Sequence, residues 1–536
     1  MAAKNEVELP DQGDNVIRTK DLDVVPNQAG IGHEVFTHLK KHGDKIAQIE
    51  AETGITDTYD QYFSRILRVA LHLKERGIKP DDVIAPCTMN HLNTAVVFVA
   101  PLLIGAKVAC FDPRAIYSEN KRLMDLIRPK LMFADEEAVE NLEKIIEELN
   151  LDAEIVVFGS TTKHTPFEDF LKLVSKEEED NFEPYEVKDL SETAIIVLSS
   201  GCTGVPKGLC ISQYALLCQL FRMMQLVKPT GILYSPIAWA SGQMFILLSI
   251  FLGTPKLICE KFTPEKTWRY LTKYQVPTLT LASQDAMLFL QHGSKISTAN
   301  KEAISKLFLK PVLVISPYGQ SEIYGPAFSM DATVFAGKPA SCGKPIQGFW
   351  YKIVDPATGK ICGPGEQGEL LLKSKFCMNG YYNSDASNCF DSDGFLKTGD
   401  IAYYDDEHCF YIVERVGERL RYKSHWISPA FLENILYEHP AVKVACVIGV
   451  ISGDGDTAIG IVVKREEVAE EELVNFVNDR VDDIEKLQGG IIFVDDDLVP
   501  YTFSGKIRRF LVRKAVLEKY KSLIKSRVPT MIDDAK

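Results

Sequence analysis

The stretch Ile195-Ile196-Val197-Leu198-Ser199-Ser200-Gly201-Cys202-Thr203-Gly204-Val205-Pro206-Lys207-Gly208 sets an apolar run directly before a loop of glycines, hydroxyls and one lysine. A short apolar run bounded by turn formers suits a strand buried on both faces. The glycines let the backbone turn tightly and approach an anion closely. The hydroxyls and Lys207 add donors and positive charge for phosphate. No G-x-x-x-x-G-K-[ST] frame fits, so this is not a Walker A loop. A flexible Gly/Ser surface loop is the plain alternative; the strand before the loop and the lysine within it favour phosphate.

The same short apolar runs recur on both sides of this loop. Val83–Pro86, Ile155–Phe158, Gly231–Tyr234 and Lys256–Cys259 read as strands, and Thr58–Arg76 and Asn93–Ile104 as helices, the first ending at Gly77. Alternation of this kind is the α/β pattern. From about Gly337 the texture shifts to Gly- and Pro-rich turns with alternating strands, such as Tyr351–Val354 and Glu369–Lys373. A boundary falls near Arg415–Arg421. Beyond it, helices at Pro429–Glu438 and Glu470–Arg480 and strands at Ala445–Val450, Ala458–Val463 and Ile491–Val494 make a compact unit of domain size. The expected fold is α/β: a large N-terminal α/β domain over 1–414, a hinge over 415–421 and a small α+β lid over 422–536.

Bulk properties exclude several classes. A chain of 536 residues is past the size of one hydrophobic core, so at least two domains are expected. The 74 acidic against 60 basic residues give a net charge of -14, which argues against nucleic acid or an anionic membrane as the main partner. The 12 cysteines show no C-x-x-C pair and no cluster with histidine, so buried free thiols in a reducing compartment are expected. The apolar stretches Val96–Phe111 and Met244–Gly253 read as core, one interrupted by Pro101, Gly105 and Lys107, the other too short to span a bilayer. No transmembrane segment is expected.

The phosphate loop resembles the signature loop of the superfamily that holds acyl-CoA synthetases, 4-coumarate–CoA ligases and beetle luciferases, and the chain looks most similar to insect luciferase-like acyl-CoA ligases. The resemblance runs from about Thr58 to Lys506. It implies that Ser199, Ser200, Gly201, Thr203, Gly204 and Lys207 grip the β- and γ-phosphates of ATP, with Cys202 in place of a usual hydroxyl. Tyr318-Gly319-Gln320-Ser321-Glu322 resembles the family's Tyr-Gly-x-Thr-Glu. There the tyrosine stacks on adenine, the hydroxyl binds phosphate and the glutamate, here Glu322, binds Mg²⁺. Asp400 and Arg415 match the ribose-binding pair. Lys506, in Ser504-Gly505-Lys506-Ile507, matches the catalytic lysine of adenylation; the alternative for it is a solvated basic patch with Arg508 and Arg509. Gly417 takes the hinge position of the domain rotation the family uses. Arg421, Lys423 and Ser424 match a stretch flanking the adenylate and coenzyme A.

Some positions depart from the family pattern. The acyl-pocket motif reads Ala238-Trp239-Ala240-Ser241-Gly242, with Trp239 where a histidine or tyrosine is usual, and an acyl wall of Trp239, Ser241 and Gly242 is the expectation. The segment between Leu290 and Ile296 is short by about one strand and its turn. Phe431 replaces a glutamate, and Gln213 stands where histidine is frequent. The resemblance implies an acyl- or aryl-CoA ligase using ATP, Mg²⁺ and coenzyme A. A luciferase-type monooxygenase and a member that binds nucleotide or acyl ligand without turnover are the alternatives. The C-terminus Asp533-Asp534-Ala535-Lys536 is not a Ser-Lys-Leu peroxisomal address, so the cytoplasm is expected.

Overall fold

The structure is a computed structural model, and it describes residues 7–8, 14–199, 207–226, 231–276, 278–281, 285–286, 288–289, 318–329, 331–338, 340–423, 425–453, 455–501 and 506–531. Apolar runs buried at every position, such as Val83–Cys87, form the centre of a seven-stranded sheet. Its order is Lys207–Ser212, Thr193–Ser199, Lys107–Val108, Val83–Cys87, Leu131–Asp135, Glu154–Phe158 and Thr165–Pro166. All pairings are parallel except that of Thr193–Ser199 with Lys207–Ser212, which closes the phosphate loop antiparallel and sets Ser199 opposite Lys207. A five-stranded sheet holds Thr278–Thr280, Gly231–Leu233, Lys256–Ile258, Ile46–Glu50 and Thr56–Thr58. An antiparallel six-stranded sheet ends in Trp350–Val354, Gly368–Lys373, Leu396–Tyr404 and Phe410–Arg415.

The helices lie where periodicity and caps place them. Thr58 caps Tyr59–Glu75 in a full capping box with Gln61, and Gly77 follows in the left-handed region at φ 74°. Thr94–Leu103 is buried on every side, which is why its sequence shows no polar face. Ala240–Leu252 likewise runs through the core and stops at Gly253. These helices share the main core with Ile31–His42 and Gln213–Leu226. Gln213 has a structural role in place of the expected histidine: its Oε1 accepts from Ile31 N at 2.9 Å, at the start of Ile31–His42.

From Leu420 the chain forms a separate body. Val442–Ser452, Gly455–Lys464, Leu420–Tyr422, His425–Ile427 and Ile491–Phe493 make one sheet, with Pro429–Glu438 and Glu470–Asn478 on one face and Arg509–Lys519 on the other. Each face has its own apolar core. The large N-terminal and small C-terminal units expected from sequence are both present. The described cysteines are free and mostly buried. The shortened segment near Leu290–Ile296 lies outside the described residues.

Candidate functional site

The segment Tyr318–Pro326 is a small hairpin, Gly319–Gln320 against Gly325–Pro326, around a 3₁₀ turn at Ser321–Ile323. Gly319 is required there, because a Cβ would stand 2.5 Å from Gly325 O. Tyr324 closes the turn in the left-handed region at φ 50°. That conformation is costly for a tyrosine, and the surrounding contacts hold it.

Two side chains of Gln213–Leu226 support this hairpin from beneath. Gln219 Nε2 donates to Ile323 O at 2.6 Å, and Arg222 Nη2 donates to Pro326 O at 2.6 Å as well as to Gln219 Oε1. Arg222 is buried, lies 5.5 Å over the Phe349 ring, and has no partner for Nε and Nη1 among the described residues. Loss of solvent pushes its guanidinium down to about 10. A third support comes from the start of Ala240–Leu252. Gln243, fully buried in the first turn of Ala240–Leu252, donates to Ile237 O at 2.8 Å and accepts from the Tyr324 hydroxyl at 3.2 Å. Residues Ile237–Gln243 and the hairpin are therefore joined through one buried amide. None of Gln219, Arg222, Gln243 and Tyr324 was singled out from sequence. For the first three the signal is polarity inside apolar helices, most visible for Gln243 within Ala240–Leu252.

Asp400 gathers the hairpin's functional side chains. Its Oδ2 accepts from the Tyr318 hydroxyl at 2.6 Å and from Gln320 Nε2 at 2.6 Å, and its Oδ1 accepts from Arg415 Nη1 at 2.7 Å. Gln320 and Arg415 both also donate to Thr398 O, at 2.9 and 3.0 Å. Thr398 Oγ1 is fixed by Leu370 O and in turn accepts from Asp400 N. Asp400 and Arg415 face each other because Leu396–Tyr404 and Phe410–Arg415 pair in that register. Burial, then the Asp400 charge, push the Tyr318 phenol well above its ordinary range, so it stays a donor at physiological pH. The Tyr318 ring meets Phe328 at 5.7 Å.

Lys207 begins the strand beyond the loop; its Nζ lies 3.2 Å from the Tyr381 hydroxyl and 4.4 Å over that ring. Ser199 and Lys207 flank the loop, and Ser200, Gly201, Thr203 and Gly204 lie outside the described residues. Glu322 is half-buried, its carboxylate in no hydrogen bond with the described residues, while its backbone carbonyl accepts from Met378 N at 2.7 Å. Among the described residues there is no group of three or more His, Cys, Asp or Glu side chains that could cage a metal. A lone half-buried carboxylate fits Mg²⁺, which keeps most of its waters and binds through one or two carboxylates plus substrate phosphates.

Trp239 is half-buried and Ser241 exposed, whereas Gly242 is buried. A Cβ on Gly242 would stand 2.3 Å from Pro236 O, so its role is to let the helix start against that turn. Gly417 sits in the turn Val416–Glu418. Arg421 and Lys423 are exposed on the hairpin that follows, Lys423 at φ 49°; Ser424 lies outside the described residues. Lys506 is exposed in the small body. The basic patch around it is not solvated: Arg508 and Arg509 are both ion-paired and partly buried. Tyr318, Gln320, Asp400 and Arg415 thus form one bonded cluster, and Arg421, Lys423 and Lys506 belong to the other body.

Comparison with known proteins is consistent with this arrangement. The family described as AMP-binding enzyme matches residues 35–382, and its C-terminal domain matches residues 432–506. The luciferin 4-monooxygenase of Photinus pyralis is 29% identical over 91% of this chain and 94% of its own. A probable 4-coumarate–CoA ligase of Dictyostelium discoideum is 26% identical over 93% and 97%. The solved luciferase-like enzyme of the nonluminescent mealworm Zophobas morio is 32% identical, with a TM-score of 0.68 over 74% of this chain and 98% of that one.

Proposed function

This chain belongs to the AMP-binding enzyme family, whose members form adenylates, and we propose that it activates a carboxylic acid with ATP and passes the acyl group to coenzyme A. The observation that carries this reading is the Asp400 cluster: one buried carboxylate with donors from Tyr318, Gln320 and Arg415 at its two oxygens. On nucleotide binding, vicinal ribose hydroxyls replace the Tyr318 and Gln320 protons on Asp400. Both side chains are then free to turn toward the base and the phosphates. Ser199 to Lys207 hold the β- and γ-phosphates, with Ser200, Gly201, Thr203 and Gly204 contributing backbone and hydroxyl donors. Glu322 would hold Mg²⁺, which neutralises phosphate charge when bound.

An acid carboxylate oxygen attacks the α-phosphorus, the bond to the β-phosphate oxygen breaks, and pyrophosphate leaves. Lys506 stabilises the negative charge that builds at the α-phosphate. In the second step the thiol sulfur attacks the acyl carbon, the thiol proton is lost, and AMP departs. Arg421, Lys423 and Ser424 flank that thiol's path, and Gly417 permits the small domain to turn between steps. We assign residues 1–414 to the adenylation domain, 415–421 to the hinge and 422–536 to the lid. Trp239 and Ser241 face a fatty or aromatic acid. No helix among the described residues is long and apolar enough to cross a membrane, and free buried thiols support the cytoplasm as the compartment.

The test is pyrophosphate release from Mg²⁺-ATP across fatty and cinnamic-type acids, with and without coenzyme A. Acid-dependent release that speeds up with coenzyme A supports the ligase. Nucleotide binding without release from any acid supports a member that binds without turnover. A luciferase-type monooxygenase is the second reading, favoured by the likeness to luciferin 4-monooxygenases. Light from luciferin, ATP and O₂ would establish it.

A further inference from the structure

Arg508 and Arg509 are neighbours that reach in opposite directions. Arg509 points into the small body: it bonds Glu433 on Pro429–Glu438, donates to Val447 O at 2.7 Å, and lies 3.4 Å from Glu418 on the turn that joins the two bodies. Arg508 points out of that body. Its Nη2 meets Glu119 Oε2 at 2.7 Å, with side chains only 17% and 11% exposed. Glu119 lies in the first turn of the helix Tyr117–Ile127, where the helix dipole also favours its charge.

That helix runs beside the phosphate strand. Ile127 Cδ1 lies 3.1 Å from where a Cβ of Gly208 would stand, and Leu126 O accepts from Asn383 Nδ2 at 3.2 Å. Tyr382 N donates to Gly208 O at 2.7 Å, which ties the same three segments together. A contact to Glu119 is therefore a contact to the framework that carries Lys207. Lys506 stands two residues before Arg508, on a segment whose other end Arg509 anchors to the small sheet.

We propose that the Arg508–Glu119 pair is an interdomain latch that holds the Lys506 segment against the large domain for adenylation. Both residues are positioning residues. The inference rests on the adenylation reading for the role of Lys506, but the latch itself is a statement about two bodies and one ion pair. A single such pair, largely removed from water, is strong enough to bias an orientation and weak enough to be released. Losing one partner leaves the other charge half-buried and unpaired, which costs more than the pair itself contributes.

The experiment uses the full chain with Arg508→Glu, Glu119→Arg, the exchanged double variant and Arg508→Lys. Thermal melting first confirms that each folds. Hydrogen exchange is then read at residues 416–423 and at the start of the Tyr117–Ile127 helix, alongside Mg²⁺-ATP affinity and acid-dependent pyrophosphate release. Either single reversal should speed exchange at both places. It should also lower kcat by about tenfold to a hundredfold while Mg²⁺-ATP affinity changes less than about twofold. The exchanged pair should recover both readouts, and Arg508→Lys should keep most of them. Unaltered exchange in the single variants overturns the latch, as does a double variant no better than its parents. The exchange readout needs no acid. Wild-type protein that shows the latch by exchange but releases no pyrophosphate would therefore count against the ligase reading alone.

Discussion

The Tyr318–Pro326 hairpin and the Lys506–Arg509 segment are both short and irregular, and both carry charged residues proposed to act on the nucleotide. They are held in opposite ways. The hairpin rests on Gln219, Arg222 and Gln243, buried groups that bond to its backbone carbonyls and to one hydroxyl. The Lys506 segment is held by side-chain ion pairs, one of them to the other body. Buried hydrogen bonds to backbone fix a geometry permanently, because opening them strands desolvated groups. Ion pairs between bodies can exchange for water and salt, so they suit a part that must come and go. Binding is assigned to the fixed region and chemistry to the movable one.

The largest expected effect separates the two roles. Lys506→Ala should lower kcat for pyrophosphate release by about a hundredfold or more, with Mg²⁺-ATP affinity little changed; a parallel loss of affinity would erase the division. On the other side, Gln219→Leu removes the donor to Ile323 O and the acceptor for Arg222 together. It should destabilise the fold by about 2–4 kcal/mol in urea titration and weaken Mg²⁺-ATP binding.

Lys256 tests how far the large domain tolerates a fixed buried charge. Its ammonium is buried 4.3 Å over the Tyr62 ring with no hydrogen-bond partner among the described residues, near Asp57 and Arg65, and burial pushes it down to about 7. Between pH 7 and about 10.4 the unfolded chain therefore holds a proton that the folded chain lacks. The cost of this ammonium is fully present below pH 7, and stability rises with pH across that window. Lys256→Met should flatten the rise, as read by thermal melts at pH 7 and 9, and should raise the melting temperature at pH 7.

Smaller changes sharpen the contrast. Tyr324→Phe removes the donor to Gln243 Oε1 and should cost about 1–2 kcal/mol of stability while loosening the tie between the Ala240–Leu252 helix and the hairpin. Raising salt from about 0.05 to 0.5 M should speed hydrogen exchange at residues 416–423 a few-fold and leave exchange at 319–326 unchanged. Equal responses in the two regions would show that both are held electrostatically.

Much of this architecture is legible in the chain itself. The continuous apolar runs of Val83–Cys87 and Ala194–Leu198 and the helical periodicity of Thr58–Arg76 are local signals, and the structure forms those elements within a residue or two of where they are expected. Pro429–Glu438 is likewise flanked by its own signals, with Ser428 as cap and Pro429 at the first turn. The phosphate loop was legible from its glycines, hydroxyls and lysine, and the other candidate nucleotide residues through their resemblance to the family's motifs.

The supports of the site were not legible. Gln219 and Ile323 are 104 residues apart, Gln243 and Tyr324 81, and Glu119 and Arg508 389. A glutamate in a first helical turn and an arginine after Gly-Lys each read as an ordinary solvated charge. By itself the sequence determined the elements, the two-part α/β plan and the family motifs, since these follow from periodicity, capping and short-range spacing. Only the tertiary structure decided which buried amide meets which hydroxyl, and which surface charge finds its partner on the other body. Those pairings depend on how separate elements are brought together, and no local pattern records that.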